Sequence, residues 1–262
     1  MQLPDTDANN DSDEVRTSTT DKTNSVPGLV AYDVIEPVVI VVDPGHGGID
    51  PGTQGQDGLL ERELTLDIAK RLQTLASLHS DIDIVLTRDD GTGLSRAERI
   101  GKVTDSGADL LLSLHFNHLP QSNVTLVESY YADPRMALQA SALRNKEPLV
   151  AQATPANNRN LKADNPAEMA AISKSFATHM QSGVFRAVQG RNPLAIDAGV
   201  KRQSLYLLTQ SGLPGALVEL TCLSNPQEES RLRTEQYRNE LAHSLMQSLR
   251  KFVDSEDLAK SI

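Results

Sequence analysis

Cysteine is almost missing from this chain: Cys222 stands alone among 262 residues. A lone thiol rules out an internal disulfide framework and any metal site built from several cysteines. It leaves the compartment open, because many exported proteins carry no disulfide. Basic clusters are missing too. Lys and Arg number 25 against 35 Asp and Glu, for a net charge of -10, so nucleic acid and anionic membrane surfaces are poor partners. No apolar run approaches the roughly 20 residues of a membrane-spanning helix, and membrane insertion is not expected. The opening "MQLPDTDANNDSDEVRTSTTDKTNS" has neither a basic n-region nor an apolar h-region, so no signal peptide is visible. Apolar content is low at 39%, which implies that part of the chain stays outside a packed core.

The outlying part is expected at the start. Residues 1–36 are rich in Asp, Asn, Thr and Ser until the last few positions and read as a disordered acidic tail or linker. Beyond it, strand and helix patterns alternate. "PVVIVVD" (37–43) is an unbroken β-branched run, the mark of a strand covered on both faces. A helix is expected over 62–78, where Leu64, Ile68, Leu72 and Leu75 recur at helical spacing. Strands follow at 81–89, 108–117 and 125–132, with a helix at 95–106 between the first two. Two more strands are expected at 203–210 and 215–220. Asn225, Pro226 and Glu228 mark a helix start, and helical pattern runs to about Phe252. This order predicts an α/β fold, a twisted and mostly parallel mixed sheet flanked by helices. It forms a single domain over 37–254. Residues 133–166, rich in Ala and Asn with weak periodicity, read as an insertion on the sheet rim or as a lid or regulatory segment.

Ligands of open α/β sheets collect beyond the carboxyl ends of the strands, and three ionisable residues fall there. His46 follows the first strand inside "DPGHGGIDPG", His115 lies near the end of "LLLSLHFN", and Glu219 closes "GALVE". Glu61 opens the helix after the glycine loop, which places it near His46. Two imidazoles and a carboxylate are a ligand set for a catalytic zinc with one open position. A further group off the metal is then needed to take a proton from water. Each residue also has a plainer reading. Histidine tolerates positive φ, so His46 suits a turn; His115 suits a hydrogen-bonded core; Glu61 suits a helix dipole. Glu219 is the odd one, since a carboxylate in an apolar strand must be paired, bound to metal or kept for function. His118 is an alternative ligand, whereas His79, His179 and His243 read as surface residues.

Phosphate-loop readings of 43–52 fail. Asp50 occupies the place of the third glycine of a dinucleotide fingerprint, and no Gly-Lys-Ser/Thr follows. His-Glu-x-x-His is absent as well. Composition and spacing stop at an α/β hydrolytic enzyme with zinc as one option.

The run of motifs is more specific than any one of them. "VVIVVDPGHGGIDPGTQGQDGLLERELTLDIAKRL", "VLTRDD", "LSRAERI", "ADLLLSLHFN", "VESYYA" and "GVKRQSLYLLTQSGLPGALVELTCLSNPQEESRL" occur in this order over about 37–132 and 167–252. Together they resemble the zinc-dependent N-acetylmuramoyl-L-alanine amidases of the bacterial cell wall (amidase type 3). The resemblance implies one Zn²⁺ held by His46, Glu61 and His115, with Arg62 where the family carries lysine, and Glu219 as the catalytic carboxylate. It implies cleavage of the amide between the lactyl group of N-acetylmuramic acid and L-alanine, with peptidoglycan as substrate. An activator protein is a candidate partner. The location implied is periplasmic or extracellular, at the cell wall, with a role in wall remodelling, daughter-cell separation or autolysis. A related zinc hydrolase acting on another wall bond, and a non-catalytic wall-binding module, are the competing readings.

This chain departs from the family pattern at Phe116 and His118, where small residues are usual, and at Thr221 and Cys222, where Gly-Phe is usual. These departures bear on substrate fit, and Cys222 reads as a small buried hydrophobe. Some division-associated members carry a helix that blocks the zinc. The 133–166 segment lies in the corresponding interval without a recognisable blocking motif, so autoinhibition is a hypothesis there.

Overall fold

The computed structural model describes residues 36–121, 123–135, 165–255 and 258, all within the unit Ile35–Ile262. The expected tail, apart from Glu36, and residues 136–164 of the expected insertion lie outside the described residues, and the blocking-helix question lies there with them.

Six strands form one sheet in the order β2-β1-β3-β6-β4-β5. They are β1 (Val38–Pro44), β2 (Ile82–Leu86), β3 (Leu110–Asn117), β4 (Leu126–Tyr131), β5 (Ile196–Arg202) and β6 (Gly215–Cys222). Every neighbouring pair is parallel except β4 and β6, which gives the mostly parallel mixed sheet expected. The helices are α1 (Glu61–Ala76), α2 (Arg96–Asp105), α3 (Pro166–Arg191), α4 (Tyr206–Gln210), α5 (Pro226–Leu232) and α6 (Glu235–Val253).

The period of two along the strands sorts the core into two layers. Val38, Ile40 and Val42 of β1, with Leu110, Leu112 and Leu114 of β3, pack against the apolar faces of α1, α3 and α6. Val41 and Leu111 turn the other way, toward Val103 of α2 and Leu208 of α4. Helix starts are well marked. Ser95 accepts a hydrogen bond from the Glu98 amide while Glu98 accepts one from the Ser95 amide, a reciprocal cap on α2. Asn225 caps α5 through the Gln227 amide with Pro226 behind it, as expected. Among the described residues no helix is long and apolar enough to cross a membrane.

Two expectations need correction. The strand expected over 203–210 is the short helix α4; its strand lies just upstream as β5. The "LYLL" run was a short apolar stretch, which periodicity cannot assign, and only Leu208 of α4 is buried. β5, "IDAGVKR", is an edge strand with exposed ends and a register shift against β4 near Gly199. Charge and irregularity of this kind protect an edge from pairing and erase the apolar signal. No element is expected over 167–202, where all but the first residue of the 26-residue α3 lies. Its buried stripe, Ile172, Phe176, Met180, Val184 and Val188, nonetheless recurs every fourth residue, so the helical period is present in the sequence.

Candidate metal centre

Parallel β1, β3 and β6 end on one rim, and the chemistry gathers there. The chain leaves β1 through Pro44 and turns at His46, the one non-glycine residue with positive φ among those described (63°). Both readings of His46 therefore hold: it is a turn residue, and it faces the site. β3 brings His115 into register with Glu219 of β6, and β6 brings Glu219 into register with Glu128 of antiparallel β4. Paired positions share a face, so these three side chains form one row across the sheet.

Glu61, at the first position of α1, lies under the row. Its carboxylate is buried, at 3% exposure. Oε1 lies 3.1 Å from His46 Nε2 and 3.0 Å from His115 Nδ1, and it accepts the Phe116 amide at 3.0 Å. Oε2 accepts the Thr53 amide at 2.7 Å. One atom from each of His46, Glu61 and His115 lies within 4.8 Å of the others, and no other such His, Cys, Asp and Glu group occurs among the described residues. His118 is outside that group; it is exposed and lines the same cleft. His79, His179 and His243 lie elsewhere; only His243 is exposed, while His79 and His179 are half-buried, the latter with its ring edge-on to Phe252 at 5.5 Å.

The backbone is cut to fit these rings. A Cβ on Gly45 would sit 2.3 Å from His115 Cε1. One on Gly52, at φ 66°, would meet Glu61 Oε2 and His46 Cδ2 at 2.6 Å. The segment between His46 and Glu61 is tied down from α5: Glu229, fully buried, accepts the amides of Asp57 (2.9 Å) and Leu59 (3.0 Å).

The charges are unusual. Burial opposes ionisation of Glu61, but hydrogen bonds from His115 and His46 outweigh it and hold the carboxyl far below its ordinary range. Burial also works against a charged His46, yet Glu61 and Asp50 push it from 6.5 up to about 9. Both shifts express the attraction between the buried Glu61 carboxylate and the imidazoles beside it. Glu219 behaves oppositely: burial, with the nearby Glu61 and Glu128 charges adding to it and the histidines opposing, pushes it up to about 7. Its Oε2 is buried and has no hydrogen-bond partner. Two imidazole nitrogens, one carboxylate oxygen and an unpartnered buried carboxylate oxygen of Glu219 beside them suit a divalent transition metal.

Sequence reasoning missed several residues. Asp50 Oδ2 lies 2.9 Å from His46 Nδ1 and orients the ring that faces Glu61, the usual second partner of a metal-binding histidine. Glu128, an acid within an apolar strand, carried the same signal as Glu219. It is 7% exposed, ion-paired with Lys201, and accepts from Asn117 Nδ2 at 2.5 Å.

Comparison with known proteins agrees with this fold. LytC, an N-acetylmuramoyl-L-alanine amidase of Bacillus subtilis, is 30% identical over 226 residues, covering 85% of this chain and 38% of LytC. The amidase AmiC of Escherichia coli is 25% identical over 240 residues, covering 89% of this chain and 57% of AmiC. The chain thus spans well under two thirds of either relative. The crystal structure of an N-acetylmuramoyl-L-alanine amidase from Clostridium difficile superposes with a TM-score of 0.64 at 28% identity, covering 84% of this chain and 99% of that one. Residues 40–251 match the Amidase_3 family, described as N-acetylmuramoyl-L-alanine amidase, and the chain belongs to that family.

Proposed function

We propose that this protein is a zinc-dependent peptidoglycan hydrolase that breaks the amide between the lactyl carbonyl of N-acetylmuramic acid and L-alanine. His46, Glu61 and His115 are its zinc ligands, and Glu219 is its general base and acid. The observation that carries the reading is the meeting of three donor atoms within 4.8 Å beside a buried carboxylate oxygen with no partner of its own.

When bound, zinc supplies Lewis acidity, which polarises a carbonyl oxygen and acidifies water. The remaining work falls to the chain. Asp50 fixes the His46 ring through Nδ1, leaving Nε2 for the centre. Glu219 takes a proton from the attacking water as its oxygen bonds to the lactyl carbonyl carbon. As the carbon–nitrogen bond breaks, Glu219 returns that proton to the L-alanine nitrogen, which cannot leave as an anion. A carboxyl group raised to about 7 suits both halves of this shuttle near neutral pH. The products are a glycan strand and a free stem peptide. Such a substrate places the protein at the cell wall or in the periplasm, in wall remodelling, cell separation or autolysis, with an activator protein as a candidate partner.

Digestion of purified peptidoglycan with and without chelator, read by mass spectrometry, tests the reading. Expected are free stem peptides and intact acetylated glycans, both lost on chelation and restored by zinc. Peptide-internal cleavage or deacetylated sugars would refute it.

A further inference from the structure

His46 is held at positive φ by something stronger than its own sequence, and the structure points to two arginines. Arg99, from α2, donates Nη1 to Asp43 Oδ1 at 2.6 Å and to the Pro44 carbonyl at 3.0 Å. Its Nη2 reaches the His46 carbonyl itself at 2.5 Å. Arg88, just beyond β2, is 4% exposed. Its Nε donates to the Pro44 carbonyl at 3.0 Å, and its Nη2 to the carbonyls of Gly45 and Arg62, both at 2.9 Å. Asp43, which anchors Arg99, is fixed in turn by Thr87 Oγ1 at 2.6 Å.

Three successive carbonyls, Pro44 to His46, are thus claimed by two planar guanidinium forks from different parts of the chain. A left-handed residue between glycines has easy routes to other conformations; donors fixed at both sides of the peptide remove those routes. Main chain and ring are secured separately, the first by Arg88 and Arg99, the second by Asp50.

We infer that Arg99 and Arg88 are positioning residues for the metal centre: they hold the 44–46 backbone so that His46 Nε2 faces Glu61 and His115. The inference rests on the zinc reading and deepens it. Lysine offers a point charge where arginine offers a fork, so Arg99→Lys keeps a cation beside Asp43 yet cannot serve both carbonyls.

The test is zinc affinity by competition with a chromophoric chelator, beside thermal unfolding in excess chelator. Arg99→Lys and Arg88→Lys are compared with Val184→Ala, a buried change in α3 away from the site. Expected is a roughly 10–100-fold loss of zinc affinity in the arginine variants, the size seen when the outer partners of metal ligands are removed. Val184→Ala is expected to lower the metal-free melting temperature with zinc affinity unchanged. Arginine variants that bind zinc within twofold of wild type would overturn the inference and leave the functional reading standing. So would affinity that merely follows melting temperature across all three variants. A wild-type protein that takes up no zinc would overturn both. Should Arg99→Lys fail to fold, Arg88→Lys carries the same comparison, because Asp43 keeps its Arg99 partner.

Discussion

Gly45→Ala isolates the geometry of the proposed metal centre from the rest of the fold. Gly45 is not at positive φ, so alanine strains no backbone torsion and only the added methyl acts. That methyl would lie 2.3 Å from Cε1, 2.6 Å from Nε2 and 2.7 Å from Nδ1 of His115. Carbon contacts settle near 3.5–4.0 Å, so ring and loop must separate by about 1 Å or more. The loop cannot yield freely, because the Gly45 amide donates to the Leu114 carbonyl at 3.0 Å and its carbonyl is held by Arg88 and Thr65. The ring moves instead, and Nδ1 leaves its place 3.0 Å from Glu61 Oε1. Metal sites tolerate about ±0.2 Å in ligand distance. Zinc affinity should therefore fall by at least about 100-fold, while folding stability falls only by the roughly 1–3 kcal/mol of an overpacked contact. Chelator competition measures the first and chemical denaturation of metal-free protein the second. An alanine variant that binds zinc as wild type does would refute the reasoning, since His115 could not then be a ligand in the position described.

Other perturbations separate the roles further. Glu219→Gln should keep zinc and lose turnover by roughly 10²–10⁴-fold, the usual worth of a general acid–base, measured as stem-peptide release at saturating zinc. Asp50→Asn should weaken zinc about 10-fold or more by loosening the His46 ring, which the same competition assay reads. Burial pushes the Cys222 thiol up to about 11, so native protein should resist iodoacetamide at pH 8 and react fully once unfolded; rapid native labelling would contradict its burial. Burial opposes the Glu229 carboxylate, but the Asp57 and Leu59 amides and Arg233 outweigh it and depress its pKa. Its stabilisation is thus complete above the unfolded value near 4.5 and lost as pH falls through the lower folded one. Denaturant melts should show Glu229→Gln costing about 1–3 kcal/mol at pH 7, with the difference from wild type closing in acid.

What could be read from the sequence follows from what edges do to chemistry. Parallel strands end together, so a histidine after β1, another near the end of β3 and an acid in the second half of β6 are neighbours once the strands are placed. Glu61 followed because its helix starts just after the glycine loop. Arg88 and Arg99 were hidden for the opposite reason. "TRDD" and "RAERIG" look like solvated charge, and their partners include carbonyls more than 40 residues earlier, which no local pattern announces. The fold shows the same divide. Buried parallel strands speak through apolar runs, whereas β5 is an edge and carries none; α3 does carry an apolar stripe, every fourth residue from Ile172 to Val188, set among small and polar residues. Glu128 is a different case: it lies inside β4 rather than at a strand end, and only the antiparallel register with β6 brings it opposite Glu219.

Glu61 does two jobs with one carboxylate. Its oxygens face both histidines while also accepting amides from the loop at Thr53 and from β3 at Phe116. The junction between first helix and sheet is therefore welded by the same atoms that would grip the ion. Retuning the centre for a different metal by exchanging this acid would unfasten that joint as well. Redesign of ligand preference has freer hands at Asp50, whose carboxylate serves the His46 ring and the nearby turn at Gly52.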